Sequence, residues 1–193
     1  MIKLVTALLV VVAHASALDY DQNGGKVSLT IGEAAKIDLK FQLSVRTSSL
    51  IVFGPECKDV GSCTRNGHPF YDAAKDKHTL TDGKDQLDIY KTKTATNVTV
   101  NIGDKTVLHD VSVIFAPVEE KTKNDTYLYD ALLGLETGSG SAFDKLVSSY
   151  DNKHLLIVPK DQDDKDSKPQ ALLGSEPKKA CGEFTLVDST TNF

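Results

Sequence analysis

The sequence predicts a mainly β protein with one short helix, and three observations carry that expectation. First, Ile37, Leu39, Phe41, Leu43 and Val45 occupy every second position, with Asp38, Lys40, Gln42, Ser44 and Arg46 between them. A period of two turns one side of an extended chain to the core and the other to water. Second, short apolar runs such as LIVF at residues 50–53 are bounded by Gly, Pro, Asn or Asp, the punctuation of strands and turns. Third, a convincing helical spacing occurs once, where Phe143, Leu146, Val147 and Tyr150 fall at i, i+3, i+4 and i+7.

The remaining elements follow in chain order. KVSLTI at residues 26–31 alternates and precedes the long alternating stretch. NVTVNI at 97–102 sets Val98, Val100 and Ile102 on one side and turns Asn97 outward. Gly103-Asp104 supplies a hairpin turn into HDVSVIF at 109–115. Ser141 is suited to cap the helix, with Asp144 three residues on as its partner. HLLIVP at 154–159 returns to strand, residues 160–170 form a charged loop, and residues 171–174 and 183–187 predict a closing hairpin around Cys181.

The N-terminus predicts export. Lys3 gives a positive start, and residues 4–13, LVTALLVVVA, form an apolar run too short to span a bilayer. AHASA then sets Ala15 and Ala17 in the small-x-small pattern that signal peptidase reads. The expectation is a signal peptide at residues 1–17, cut after Ala17, and one secreted domain at 18–193 with no membrane attachment once the leader is gone. Two sequons agree with that compartment, Asn97-Val98-Thr99 and Asn124-Asp125-Thr126. So does cysteine usage. Cys57 and Cys63 bracket a short loop suited to a disulfide, worth about 2–3 kcal/mol in the chain-entropy picture. Cys181 is the odd one, either a free thiol or half of a bridge to a disulfide-linked partner.

Composition and motifs exclude several classes of chemistry. A net charge of −5 gives no electrostatic footprint for nucleic acid. Asp161, Asp163, Asp164 and Asp166 suggest calcium, but the sixth and twelfth loop positions hold Asp166 and Leu172 where a glycine and a bidentate Glu are needed. A solvated loop is the better reading. His68, His78, His109 and His154 show no metal-ligand spacing. GSGS at 138–141 is not a nucleophile elbow, and no phosphate-binding glycine loop occurs. No metal or cofactor is expected.

The order of the pieces resembles the N-terminal lobe of pepsin-like aspartic peptidases. LTIGEAAKIDLKFQLSVRTSSLIVFGPEC at 29–57 is similar to that family's I-G strand, its D-T-G-S-S turn, its L-W-V strand and the cysteine that follows. HPFYDAAKDKHTL at 68–80 resembles its F-x-P-x-x-S-x-T segment, and LDIY at 87–90 its strand into the flap. YDALLGL at 129–135 is similar to F-D-G-I-L-G-L, with the helix next in line. ALLGSEPKKACGEFTLV at 171–187 resembles the hairpin that closes the lobe. The resemblance implies one lobe of the pepsin-like acid protease fold, a Cys57–Cys63 disulfide, and a flap tyrosine at Tyr90.

It also implies lost chemistry. The family pairs two aspartates, one per lobe, on a shared proton and one water. Here the turn reads Arg46-Thr47-Ser48-Ser49, or Val45-Arg46-Thr47 in another register, and neither holds an aspartate. Arg stays cationic and cannot act as a base. The glycine of the turn is missing too. Asp38 lies too far upstream, and Lys91-Thr92-Lys93 replaces the flap's glycines. The second lobe and its aspartate are expected to be absent. A dimer of single lobes, as in the retroviral branch, would set two Arg46 side chains against each other. The function implied is a secreted, catalytically inactive homologue that binds a protein or peptide. The partner would use the cleft remnant near Arg46, Tyr90 and residues 129–135, and the exposed lobe edge. The alternatives are an active aspartic endopeptidase and a truncated product with no selected role.

Overall fold

The computed structural model describes residues 16–59, 68–83, 90–103, 105–117, 130–160, 163 and 165–174. Among the described residues the protein is mainly β with one short helix, as the alternation predicts. The strands are β1 Ser16–Asp21, β2 Lys26–Ile31, β3 Ile37–Ser44, β4 Leu50–Phe53, β5 Leu80–Asp82, β6 Tyr90–Ile102, β7 Lys105–Pro117, β8 Ala131–Gly134, β9 Leu155–Val158 and β10 Gln170–Leu173. Helix α1 spans Ala142–Val147, and a 3₁₀ turn spans Pro55–Asp59.

The strands form a single sheet in the order β5-β6-β7-β4-β8-β3-β2-β1-β10-β9, in which β2 also pairs with β6. That extra pairing sets Thr30 opposite Asn101 and Ile31 opposite Val100. It closes β2, β3, β8, β4, β7 and β6 into a barrel-like ring. Its interior is apolar because alternate residues point inward. Val27, Leu29 and Ile31 of β2 meet Leu39 and Phe41 of β3 and Val98, Val100 and Ile102 of β6 there. Leu146, Val147 and Tyr150 from the helical segment join this core.

The LIVF run is explained by burial on both sides. Leu50 and Val52 point into the main core, while Ile51 and Phe53 point outward into a second cluster with Cys57, Tyr90 and Ile114. A strand covered on both faces has no reason to alternate. The helix forms where expected. Ser141 caps it by accepting the Asp144 N–H at 3.1 Å. The Asp144 carboxylate reaches back to the Gly138 N–H at 3.0 Å.

Three local expectations change. The alternation of β3 stops at Ser44, and Val45, expected inside, is 79% exposed. The backbone carbonyls beyond it are taken by other elements, which turns the chain out of the strand. Residues 171–173, expected as one arm of a closing hairpin, belong to β10. In β10 they are paired on one edge by β1 and on the other by β9. Residues 183–187 and Cys181 lie outside the described residues. Finally, Ser16 and Ala17, expected in the leader, are the first residues of β1.

Candidate functional site

The turn at residues 45–49 is held almost entirely through its backbone. β8 lies between β3 and β4, parallel to one and antiparallel to the other. Ser44 O accepts the Leu135 N–H at 2.7 Å, Thr47 O accepts that of Glu136 at 3.3 Å, and Ser48 O accepts that of Ala142 at 2.6 Å. Ser49 O accepts the Gly134 N–H at 2.9 Å. Two local bonds add to these, Arg46 N–H to Ser44 Oγ at 3.2 Å and Ser49 N–H to Thr47 Oγ1 at 3.1 Å. Gly134 is required for this approach. A Cβ there would sit 2.7 Å from Ser49 N and collide with Thr47 O. The fold thus brings the turn sequence onto the ALLGL sequence some ninety residues later.

The side chains on the turn face water or a polar pocket. Arg46 and Val45 are exposed side by side. Ser48 and Ser49 line a cavity of about 460 Å³ together with Thr94, His109, Asp110, Glu136 and Lys145. Its walls are rich in hydroxyls and carboxylates. The Lys145 ammonium stands 3.6 Å from the Asp110 carboxylate. His109 is buried, with Nδ1 2.6 Å from the Asp110 carbonyl oxygen. Burial pushes its pKa below the ordinary imidazole value, against the pull of that carbonyl. Sequence reading passed over His109 and Glu136 as site residues. The only signal was that Glu136 directly follows the ALLGL run.

A second polar site lies at the loop after β2. The buried Asp76 Oδ1 accepts the backbone N–H groups of Glu33, Ala34 and Ala35 at 2.8, 2.7 and 3.0 Å. Its other oxygen accepts the Tyr71 hydroxyl at 2.9 Å, and His78 Nε2 is 3.4 Å away. Burial alone would raise the Asp76 pKa, but these bonds outweigh it and hold the carboxyl below its ordinary value. Tyr71 is pushed the other way, by burial first and then by Asp76. Asp130 ties the same region to β3. It accepts the Lys40 N–H at 3.0 Å and lies 2.7 Å from His68 Nδ1.

The other anticipated residues are dispersed. Tyr90 is 2% exposed, its ring edge-on to Phe53 at 5.9 Å, in the second apolar cluster. It does not line the pocket beside the turn. Asp38 is exposed on β3 and bonds the Thr30 hydroxyl. Asn97 is exposed at a bulge in β6, with φ of 55°, and its N–H donates to Asp110 at 3.2 Å. Cys57 is buried, its Sγ 3.4 Å from Ile114 O. Cys63, Asn124 and Tyr129 lie outside the described residues. Among the described residues no three His, Cys, Asp or Glu side chains converge as metal ligands. No family model matches the chain, and no curated protein matches it.

Proposed function

We propose that this protein is a secreted, catalytically inactive relative of the pepsin-like aspartic peptidases that acts by binding a protein or peptide. The observation that carries the reading is the turn at 45–49. Its backbone is fixed by bonds from Gly134, Leu135, Glu136 and Ala142, and a turn held in this way supports reading it as the counterpart of the one on which that family mounts its aspartate. The residues mounted on it, Val45, Arg46, Thr47, Ser48 and Ser49, include no carboxylate. A guanidinium cannot take a proton from water. What the turn offers instead is an exposed cation beside an exposed apolar side chain, the makings of a contact for an extended chain carrying acidic and apolar residues.

Further features support the export half of the reading. Asn97 is exposed, as a glycan acceptor must be. Cys57 is disulfide-bonded, which supports a small loop closed to Cys63. With that loop closed, Cys181 is left as a free thiol or as half of a bridge to a disulfide-linked partner. The test is a proteolysis assay on denatured protein at about pH 3–5, with and without a transition-state mimic of aspartic peptidases. No mimic-sensitive cleavage is expected. Alongside it, titration of an acidic peptide library should find saturable binders that Arg46→Ala weakens. Absence of any saturable ligand favours the truncated-product alternative.

A further inference from the structure

We propose that the leader is removed between Ala15 and Ser16, so that the folded protein begins at Ser16. The inference rests on the export reading above and sharpens it. Signal peptidase requires small side chains one and three residues before the bond it hydrolyses. The sequence offers two such frames, Ala13 with Ala15 and Ala15 with Ala17. In the first, water adds across the Ala15–Ser16 amide, leaving a carboxylate on Ala15 and an ammonium on Ser16. In the second, the same hydrolysis falls between Ala17 and Leu18. The peptidase's own rule does not choose between them; the fold favours the first, because only that cut leaves the whole of β1 in the processed chain.

Ser16 is built into the protein from three directions. It is 5% exposed. Its Oγ accepts the Tyr150 hydroxyl at 2.7 Å, a buried bond between the chain start and the end of the helical segment. The β6–β7 turn packs against it as well, and a Cβ on Gly103 would lie 3.0 Å from Ser16 Cβ. In the sheet Ser16 stands opposite Leu173 and Ala17 opposite Leu172, two of the four register pairs that join β1 to β10. β1 is the strand that connects β10 and β9 to β2. Cutting after Ala17 would delete half of that junction and the hydroxyl that Tyr150 donates to. Cutting after Ala15 keeps all of it.

The experiment is expression of the full chain in a secreting eukaryotic host, followed by N-terminal sequencing and intact mass of the deglycosylated product. The expected N-terminus is Ser16-Ala17-Leu18. An N-terminus at Leu18 overturns this inference while leaving export intact. Retention of Met1 overturns both. Two variants separate the frames. Ala17→Leu spoils only the second, and Ala17 is exposed in β1, so secretion with a Ser16 start should continue unchanged. Loss of processing in that variant would contradict the proposal. Ala13→Leu spoils only the first. It should either block processing or move the start to Leu18, and the Leu18 product should show a folded-to-unfolded ratio at least about fivefold lower.

Discussion

Two polar sites in this molecule are built on opposite plans. At Asp76 a side chain organises backbone: one buried carboxylate gathers three N–H groups of the loop after β2 and a tyrosine hydroxyl. At the turn of residues 45–49 backbone organises backbone, with two local hydroxyl bonds added, and the Val45 and Arg46 side chains are exposed. The difference decides what each site can lose. Removing Asp76 would take the shared acceptor from three part-buried N–H groups and a buried tyrosine hydroxyl, whereas the turn does not depend on the side chain at position 46. Substitution at position 46 should therefore leave the backbone of the turn in place.

The sharpest way to break the comparison is to delete the organising carboxylate. Asp76→Ala leaves three N–H groups and the Tyr71 hydroxyl without that acceptor and should destabilise the protein by about 3–5 kcal/mol in urea unfolding. Asp76→Asn retains one carbonyl acceptor and should cost less. A change below about 1 kcal/mol for the alanine variant would show that the loop does not depend on it.

The next largest effect belongs to the backbone that supports the turn. Gly134→Ala forces a methyl group against Thr47 O and Ser49 N, both main-chain atoms that cannot rotate away. A loss of about 1–3 kcal/mol is expected, and restoration of stability by a further change in the side chain of Arg46 is not.

Acid should weaken the protein in two stages. His109 is held neutral in the fold, with its pKa below the ordinary value of 6.5, so below that pH the unfolded chain binds a proton that the native one refuses. Stability is fully present above about pH 6.5 and falls as pH drops toward the folded value, by at most about 1.4 kcal/mol per pH unit. His109→Gln should flatten that part of the profile. Asp76 acts lower. Its folded pKa lies beneath the ordinary 3.8, so its contribution stands above that pH and is lost as pH falls through the folded value.

The smallest stability effect is expected at the turn itself. Arg46→Ala exchanges an exposed side chain and should alter unfolding by no more than about 0.5 kcal/mol. If it also leaves peptide binding unchanged, the exposed Val45–Arg46 pair is not the contact.

Much of the fold was legible because alternation reports burial directly. β2, the inner half of β3, the capped helix and the Gly103 turn all lie where their side-chain periods put them. What could not be read depends on long-range pairing. The sequence of β3 continues its period through Val45, yet the strand ends at Ser44 because β8 and α1 take the carbonyls beyond it. β1 hides in a stretch that doubles as a leader-cleavage pattern. The approach of ALLGL to the turn was open to reading only through a family resemblance, since no local pattern links residues so far apart. Asp76 carries no local signal in the sequence, because its partners are the N–H groups of a loop some forty residues earlier. Tyr90 was expected beside the turn, but a tyrosine followed by alternating residues packs inward on Phe53 just as readily.

The proposed function requires that the turn at 45–49 be the counterpart of a peptidase's active-site turn with Arg46 in place of the acid. The most direct test is turnover of a quenched-fluorescent peptide library at about pH 3–5 by the purified secreted protein, side by side with Arg46→Asp. The proposal predicts no mimic-inhibited hydrolysis by either, because Arg46→Asp restores one carboxylate of a dyad and not the turn's missing glycine. Hydrolysis by the unmodified protein that a transition-state mimic abolishes would contradict it.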